Sequence, residues 1–178
     1  MRIIAGTWRG RALLAPKGEA TRPTGDRVRE ALFSMLASRL GSFEGLAVAD
    51  LFAGSGALGF EALSRGAASC VFVEQDRAAI EALRANADKL GVRPDLRAGS
   101  VMSLGSAPAP LDLILMDPPY GTGAGAVALD RLTRLGWVGS ATWVSIETGK
   151  DEAIAVDGFA ADAERIHGKA KLTILRRA

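Results

Sequence analysis

Cysteine, histidine and long apolar runs are scarce in this chain of 178 residues. Cys70 is the only cysteine, so no disulfide can form within the chain, which is typical of a reducing compartment. His167 is the only histidine, which disfavours zinc catalysis and histidine-dependent triads, and we expect no metal. There is no run of 18 or more uncharged apolar residues, and the opening from Met1 to Arg9 is too polar for a signal peptide. We therefore expect a cytoplasmic protein with no membrane partner.

Basic residues are concentrated at the start of the chain. Residues 1–29 carry seven Lys or Arg against two acidic residues, whereas the other 149 residues carry 15 basic and 18 acidic side chains. A basic segment on a mildly acidic body predicts an anionic partner, although a solvated terminal segment is the alternative. Trp8 among arginines favours nucleic acid, because an aromatic ring stacks on bases while guanidinium groups bind phosphates.

Apolar strand patterns alternate with helical patterns through most of the chain. We predict strands at 46–52, 70–74, 95–98, 111–116, 142–147, 159–166 and 171–175. We predict helices from a cap near Thr24 to a stop at Gly41, at 57–65, after the cap Asp76, and at 124–135. Continuous apolar strands alternating with helices indicate an α/β fold with a parallel sheet covered on both faces. The two consecutive last strands indicate an antiparallel pair, and the loosely alternating residues 1–15 a β-hairpin or extended arm.

A glycine-rich turn follows the first of these strands. Residues 52–56, Phe-Ala-Gly-Ser-Gly, lead into a helix N-terminus, where a ligand can approach the backbone closely. With Gly59 they also satisfy the G-x-G-x-x-G pattern of NAD-binding proteins. Asp50 lies just before the turn, where it would repel a pyrophosphate but could pair with an ammonium group. Glu74 ends the second strand and could accept hydrogen bonds from two ribose hydroxyls, a role common to both cofactor classes; helix capping is the alternative.

The motif Asp117-Pro118-Pro119-Tyr120 follows the fourth apolar strand. The Asp117 side chain and a carbonyl of the rigid Pro-Pro turn can both accept hydrogen bonds from one exocyclic amine. Tyr120 offers a ring on which a base could stack. A dehydrogenase has no need of this element, so the motif favours methyl transfer to a nucleic-acid base.

These motifs, in this order and spacing, resemble the class I S-adenosylmethionine-dependent methyltransferases. The stretches 1–11, 22–33, 50–67 and 112–120 are more specifically similar to the bacterial 16S ribosomal RNA guanine-N2 methyltransferases of the RsmD type. The resemblance implies a Rossmann-like, seven-stranded, mostly parallel sheet with an antiparallel last strand. It implies methyl transfer from S-adenosylmethionine to N2 of a guanine in 16S ribosomal RNA, free or within an assembling small subunit. We expect a monomer, with residues 1–23 as a basic RNA-binding arm and residues 24–178 as the catalytic domain.

The site residues follow from these motifs and from the resemblance. The expected catalytic residues are Asp117, Pro118, Pro119 and Tyr120. The expected cofactor-binding residues are Thr24, Asp50, Phe52, Gly54, Gly56, Glu74, Ser100 and Val101. The expected RNA-binding residues are Arg2, Trp8, Arg9, Arg11, Arg22 and Arg27. Ser100 stands where such enzymes usually carry an Asp that binds adenine, and a hydroxyl is a weaker acceptor than a carboxylate.

Two other activities remain open at this stage. A DNA adenine-N6 methyltransferase uses the same four-residue motif, but it needs a target-recognition segment, and here the residues around the motifs are used to build the sheet. An NAD-dependent oxidoreductase would fit the glycine pattern but lacks an evident proton donor beside it.

Overall fold

A computed structural model describes residues 1–17 and 25–178, and a seven-stranded sheet lies at its centre. The strands, in chain order, are β1 (Ala47–Leu51), β2 (Ser69–Glu74), β3 (Asp95–Ala98), β4 (Leu111–Met116), β5 (Val138–Gly149), β6 (Phe159–His167) and β7 (Ala170–Arg177). Their spatial order is β3-β2-β1-β4-β5-β7-β6. Strands β1 to β5 run parallel, whereas β7 is antiparallel to both β5 and β6. The predicted Rossmann-like fold with an antiparallel last strand is confirmed.

Helices cover both faces of this sheet. They are α1 (Asp26–Leu40), α2 (Ala57–Ser64), α3 (Arg77–Leu90) and α4 (Ala124–Arg134). Helices α1, α2 and α3 share one apolar core with Val48 and Leu113, and α4 shares a second core with Ala49 and Ile114. Successive strand residues thus enter opposite cores, which explains why the strands are continuously apolar. Within residues 1–17 and 25–178, no helix has the length and apolarity to cross a membrane.

The element boundaries follow local sequence signals closely, with one clear exception. The Asp76 side chain caps α3 by accepting a hydrogen bond from the amide of Ala79 at 2.9 Å, and Gly41 ends α1, both as predicted. The expected cap Thr24 lies outside the described residues, and Gly25 occupies the N-cap position without a side-chain bond. Strand β5 begins at Val138 rather than at residue 142, because an irregularity in its pairing with β4 accommodates a stretch that lacks the apolar pattern.

The N-terminal segment, defined as residues 1–17, packs on the body of the protein. Residues 1–3 pair antiparallel with residues 10–13, through the bridge between Arg2 and Ala12 and backbone hydrogen bonds from Ile3 to Arg11 at 3.0 Å and from Leu13 to Met1 at 2.8 Å, so the short hairpin expected here forms. Ile3 and Leu13 are buried in the core shared by α1 to α3. The segment is therefore a docked hairpin rather than a free arm, because its apolar residues supply part of the core.

Helix α2 holds this segment through polar contacts from its middle and its C-terminal end. The buried Glu61 carboxylate accepts the amides of Ile4 and Ala5 at 2.9 and 3.1 Å. Ser64 accepts the amide of Thr7 with its carbonyl oxygen at 2.8 Å. Gly6 has a φ of +87°, and a Cβ there would lie 1.8 Å from that same carbonyl oxygen. Only glycine fits this crossing, so the close approach of segment and helix depends on it.

Candidate active site

A cavity of about 840 Å³ opens at the carboxyl ends of the parallel strands. It lies beside the boundary between β1 and β4, where the strand order changes direction. Ligands of open α/β sheets bind at this kind of switch point. The cavity is lined by residues of four regions: the glycine turn after β1, the end of β2, the loop after β3, and the turn after β4. Sequence segments more than sixty residues apart thus converge on one site.

The glycine turn forms the floor of the cavity. Phe52, Gly54 and Ser55 line it, whereas Gly56 lies behind it as the N-cap of α2 with a φ of +83°. Phe52 also has a positive φ, +57°, and is the only non-glycine residue in the described chain that does. A bulky side chain in this conformation stores strain, which the surrounding fold must hold. The turn therefore uses a strained residue as well as glycines to present its backbone to the cavity.

Asp50 lies at the base of the turn and is 1% exposed. Its Oδ2 accepts the amide of Gly59 at 2.9 Å, which anchors the first turn of α2. Its Oδ1 is buried and has no hydrogen-bond partner among the described residues. Burial raises the pKa of Asp50 well above its ordinary value, and the nearby charges of Asp117 and Glu74 add to this, while the Gly59 bond opposes it. Asp50 is thus an acceptor with spare capacity at the cavity wall.

Glu74 closes the other side of the glycine turn. Its Oε1 accepts the amide of Gly54 at 2.7 Å, and its Oε2 accepts the amides of Gln75 and Asp76 at 2.7 and 2.9 Å. A carboxylate has about four acceptor positions, so one remains for a ligand. The expectation that Glu74 faces the cavity agrees with its position in the lining. The three backbone hydrogen bonds fix the orientation of the Glu74 carboxylate, which the position of Glu74 in the sequence did not predict.

The loop after β3 contributes Gly99, Ser100 and Val101 to the lining. The Ser100 hydroxyl accepts the amide of Met102 at 3.1 Å and caps a short 3₁₀ turn over Val101–Ser103. Its proton remains available for donation, because an accepting hydroxyl can still donate. The hydroxyl also keeps a second lone pair, so Ser100 can both accept from and donate to a ligand, whereas a carboxylate can only accept.

The turn after β4 contributes three residues to the cavity lining: Asp117, Pro119 and Tyr120. Pro118 is buried behind them and packs closely on α4, since a Cβ added to Gly125 would lie 3.1 Å from the Pro118 Cγ. The carbonyl oxygen of Pro119 accepts the Thr122 hydroxyl at 2.8 Å, which stiffens the turn. The expected catalytic residues thus adjoin the expected cofactor-binding residues in one cavity.

Glu147 is a site residue that the sequence did not indicate. It is 5% exposed near the end of β5, and its Oε1 accepts the Tyr120 hydroxyl at 2.5 Å. This charge-assisted bond fixes the Tyr120 ring at the cavity wall. In the sequence, Glu147 is a single charged residue at the end of an apolar strand, and no local pattern marks it as functional. It reaches Tyr120 because β5 pairs with β4 in the sheet.

Residues near the N-terminus complete the cavity wall. Met1, Ala15 and Pro16 of the N-terminal segment line it, together with Asp26 and Arg29 of α1. Arg29 is 1% exposed, although the sequence grouped it with the basic residues that would meet an external partner. The sequence also gave no sign that the N-terminal segment forms part of the cavity, because the contacts that hold it join residues more than fifty positions apart.

The expected RNA-binding residues lie at two distances from this cavity. The exposed Arg27 follows the lining residue Asp26. The Arg2 amide also donates to Asp26 at 3.3 Å, but the Arg2 guanidinium donates to the carbonyl oxygen of Gly10 at 2.8 Å, between Arg9 and Arg11. Trp8 lies instead at the far end of α2, where its amide donates to Ser64 at 3.0 Å. Arg11 donates to the carbonyl oxygen of Lys89 in the last turn of α3, about 15 Å along that helix from the lining residue Ala79.

The remaining expected residues complete this placement. Arg9 follows Trp8 and is exposed. Arg22 lies outside the described residues.

Comparison with known proteins places the chain in a family. The protein-family model described as conserved hypothetical protein 95 matches residues 1–176. Ribosomal RNA small subunit methyltransferase D of Escherichia coli strain K12 is 38% identical over 150 residues, which cover 83% of this chain and 74% of the relative. The Haemophilus influenzae protein of that name is 37% identical over 160 residues, covering 86% and 81%.

A solved structure extends the likeness to the whole fold. A putative methyltransferase from Escherichia coli superposes with a TM-score of 0.86 at 33% identity and covers 99% of this chain and 97% of its own. The resemblance expected from the sequence motifs is confirmed, and the oxidoreductase alternative is left without support. The chain therefore belongs to the family described as conserved hypothetical protein 95, and it is an enzyme of the methyltransferase class.

Proposed function

We propose that this enzyme transfers a methyl group from S-adenosylmethionine to the exocyclic N2 amine of a guanine in small-subunit ribosomal RNA. One observation carries the proposal: the Asp117–Tyr120 turn and the Asp50–Gly56 turn line the same cavity. The relatives named small-subunit ribosomal RNA methyltransferases support the choice of RNA over DNA. Methyl transfer to N2 of guanine, rather than to another amine, rests on the family resemblance of the N-terminal motifs.

The residues of the cavity fit S-adenosylmethionine. The carboxylates of Asp26, Asp50, Glu74, Asp76 and Asp117 line it, and they favour a ligand with cationic groups. The unpartnered Oδ1 of Asp50 suits an ammonium group, and the remaining acceptor position of Glu74 suits a ribose hydroxyl. Ser100 and Val101, which line the cavity after β3, would contact the adenine ring. The cofactor supplies an electrophilic methyl group on a sulfonium, so the protein mainly has to align the acceptor.

The turn after β4 would hold the target amine. Asp117 accepts one N–H of the amine, and the carbonyl oxygen of Pro118 is the better second acceptor, because that of Pro119 already bonds Thr122. Two accepted hydrogen bonds favour the pyramidal nitrogen that attack requires and stabilise the positive charge that develops on it. The guanine stacks on Tyr120, whose ring Glu147 fixes in place. The base must first leave its own stack to enter the cavity.

The exposed basic residues would bind the RNA on either side of the target base. Arg27 would meet phosphates beside the cavity, whereas Arg2, whose guanidinium bonds the Gly10 carbonyl, would meet RNA together with Arg9 and Arg11 about 15 Å away. A rigid substrate that spans this distance, such as a folded ribosomal RNA or an assembling small subunit, fits better than a short single strand. We propose that the N-terminal segment with residues up to 23 is the RNA-binding part, that residues 24–178 form the catalytic part, and that the protein acts as a monomer in the cytoplasm.

Substitution of Asp117 tests this assignment. Asp117→Ala should abolish methyl transfer to small-subunit ribosomal RNA, because the amine loses its principal acceptor, while the dissociation constant of S-adenosylhomocysteine changes little. Asp130→Ala on the outer face of α4 removes an exposed carboxylate paired with Arg134 and serves as the matched control. Transfer by Asp117→Ala at the rate of the Asp130→Ala control would contradict the proposed chemistry.

A further inference from the structure

Glu152 lies just after β5, and its side chain connects the end of that strand to the turn after β4. Its Oε1 accepts the amide of Gly121 at 2.8 Å, and its Oε2 accepts the amide of Gly149 at 2.6 Å. Gly121 directly follows Tyr120, and Gly149 is the last residue of β5. One carboxylate therefore fixes the backbone after Tyr120 against the end of the strand, through two charge-assisted hydrogen bonds.

The end of β5 also contacts the Tyr120 ring. The Tyr120 hydroxyl donates to Glu147 at 2.5 Å. A Cβ added to Gly149 would lie 3.7 Å from the Tyr120 Cδ2 and 3.0 Å from the Glu152 Oε2. The ring, the Gly149 backbone and the Glu152 carboxylate thus lie against one another. Without Glu152 the backbone after Tyr120 would lose its tie to β5 while Glu147 still held the hydroxyl, so the plane of the ring could tilt.

Glu152 is itself held from two sides. Its amide donates to the Gly149 carbonyl oxygen at 3.0 Å, and its own carbonyl oxygen accepts the ammonium group of Lys171. Lys171 is buried on β7, where it pairs with Thr148 of β5. A buried ammonium group needs an acceptor, so this contact favours a fixed position for the Glu152 backbone. The antiparallel pair of β5 and β7 thereby places the carboxylate that holds Gly121.

Glu152 does not reach the reacting groups directly. It is absent from the cavity lining, and both of its oxygens accept backbone amides. We propose that Glu152 is a positioning residue for methyl transfer: it holds the turn after β4 in the conformation in which Asp117 and Tyr120 meet the target base. This inference rests on the proposed function, because it takes that turn as the place where the base is bound.

Steady-state kinetics with small-subunit ribosomal RNA separate positioning from binding. Glu152→Ala should lower kcat about tenfold, the low end for a hydrogen bond to a charged group, because the bond to Gly121 is exposed. The KM for RNA should change less than about threefold, because phosphate contacts supply most of the affinity for nucleic acid. The dissociation constant of S-adenosylhomocysteine should also change less than about threefold, because Glu152 lies outside the cavity lining.

Two further variants serve as controls. Asp151→Ala removes the exposed carboxylate next to Glu152 and should leave kcat unchanged. Glu152→Gln keeps the length of the side chain but has a single acceptor oxygen, so it can hold only one of the two amides. Its kcat should lie between those of the wild type and Glu152→Ala. All variants are compared at a temperature at which circular dichroism shows them fully folded, so that a loss of stability alone does not lower kcat.

Tyr120 is the only tyrosine of the chain, which allows the turn to be observed without catalysis. Protein labelled with fluorotyrosine should therefore give a single fluorine resonance in the NMR spectrum. Glu152→Ala should broaden or split this resonance, because the ring then occupies more than one position. Asp151→Ala should leave its width unchanged.

The outcomes separate this proposal from the proposed function. An unchanged kcat in Glu152→Ala overturns the proposal, and so does a lower kcat with an unchanged Tyr120 resonance. A loss of S-adenosylhomocysteine affinity as large as the loss of kcat also overturns it. If Glu152→Ala does not fold, Glu152→Gln decides: a lower kcat with a broadened resonance supports the proposal, and wild-type values overturn it. A wild-type protein that transfers no methyl group to the RNA would instead refute the proposed function, while the resonance would still show whether Glu152 holds the turn.

Discussion

The carboxylate of Glu61 holds the N-terminal segment on α2, so its removal should release that segment and one wall of the cavity. Glu61 is 0% exposed, and its two oxygens accept the amides of Ile4 and Ala5 and the Nε of Arg65, at 2.9, 3.1 and 2.9 Å. In Glu61→Ala, two amides and one guanidinium lose their acceptor in a buried environment. Loss of one partner from such a buried network costs about 3–5 kcal/mol of unfolding free energy.

Urea unfolding and hydrogen exchange measure the two parts of this effect. Glu61→Ala should lower the unfolding free energy by about 3–5 kcal/mol, and the amides of Ile4 and Ala5 should exchange much faster than in the wild type. Affinity for S-adenosylhomocysteine should fall as well, because Met1, Ala15 and Pro16 line the cavity. Glu81→Ala is the matched control: it removes an exposed helical glutamate paired with Arg77, which should cost no more than about 0.5 kcal/mol. If Glu61→Ala cost no more than this control, or left the two amides protected, the docking account would be wrong.

Three further predictions concern individual site and core residues. Tyr120→Phe loses the bond to Glu147 but keeps the ring, so kcat should fall while the affinity for S-adenosylhomocysteine stays; an unchanged kcat would remove that bond from catalysis. Burial raises the pKa of Asp50 in the folded protein, so the protonated carboxyl stabilises the fold fully below a pH of about 3.9. This stabilisation is lost as the pH rises through the folded pKa. In the ligand-free protein, Asp50→Asn should therefore gain stability relative to the wild type as the pH rises above about 4. Denaturation at pH 4 and pH 8 checks this, and a constant difference would contradict it. Burial, with the nearby Asp50 charge, also raises the pKa of the Cys70 thiol, so a thiol reagent should react with it only on unfolding; rapid reaction of the native protein would contradict this.

The sheet and the location of the site could be predicted because their signals are local. The apolar run at 111–116 became β4 without any shift in its boundaries, and Asp76 caps α3 as its position indicated. Parallel strands place their carboxyl ends on one edge, so the residues after β1, β2 and β4 had to meet. The occurrence of Asp50, Glu74 and Asp117 in one cavity follows from this topology.

The contacts of the N-terminal segment could not be predicted, because no local pattern specifies them. Glu61 resembles any helical glutamate in the sequence, and its burial depends on amides 56 and 57 residues away. Arg29 is similar: in the sequence it adds to a basic cluster, whereas the structure buries it beside Asp26 and the Arg2 carbonyl. Charge counting therefore overestimated the basic surface available to RNA and missed that Arg29 lies at the cavity.

The identity of the methylated nucleoside decides whether the enzyme acts on the N2 amine of a guanine in ribosomal RNA. Purified protein would be incubated with methyl-labelled S-adenosylmethionine and, in separate reactions, small-subunit ribosomal RNA and double-stranded DNA. Digestion and mass spectrometry would then identify the labelled nucleoside. We expect the label in N2-methylguanosine from the ribosomal RNA, and we expect Asp117→Ala to remove it. Label in N6-methyladenine from the DNA, or no transfer to the RNA by a protein that binds S-adenosylhomocysteine, would contradict it.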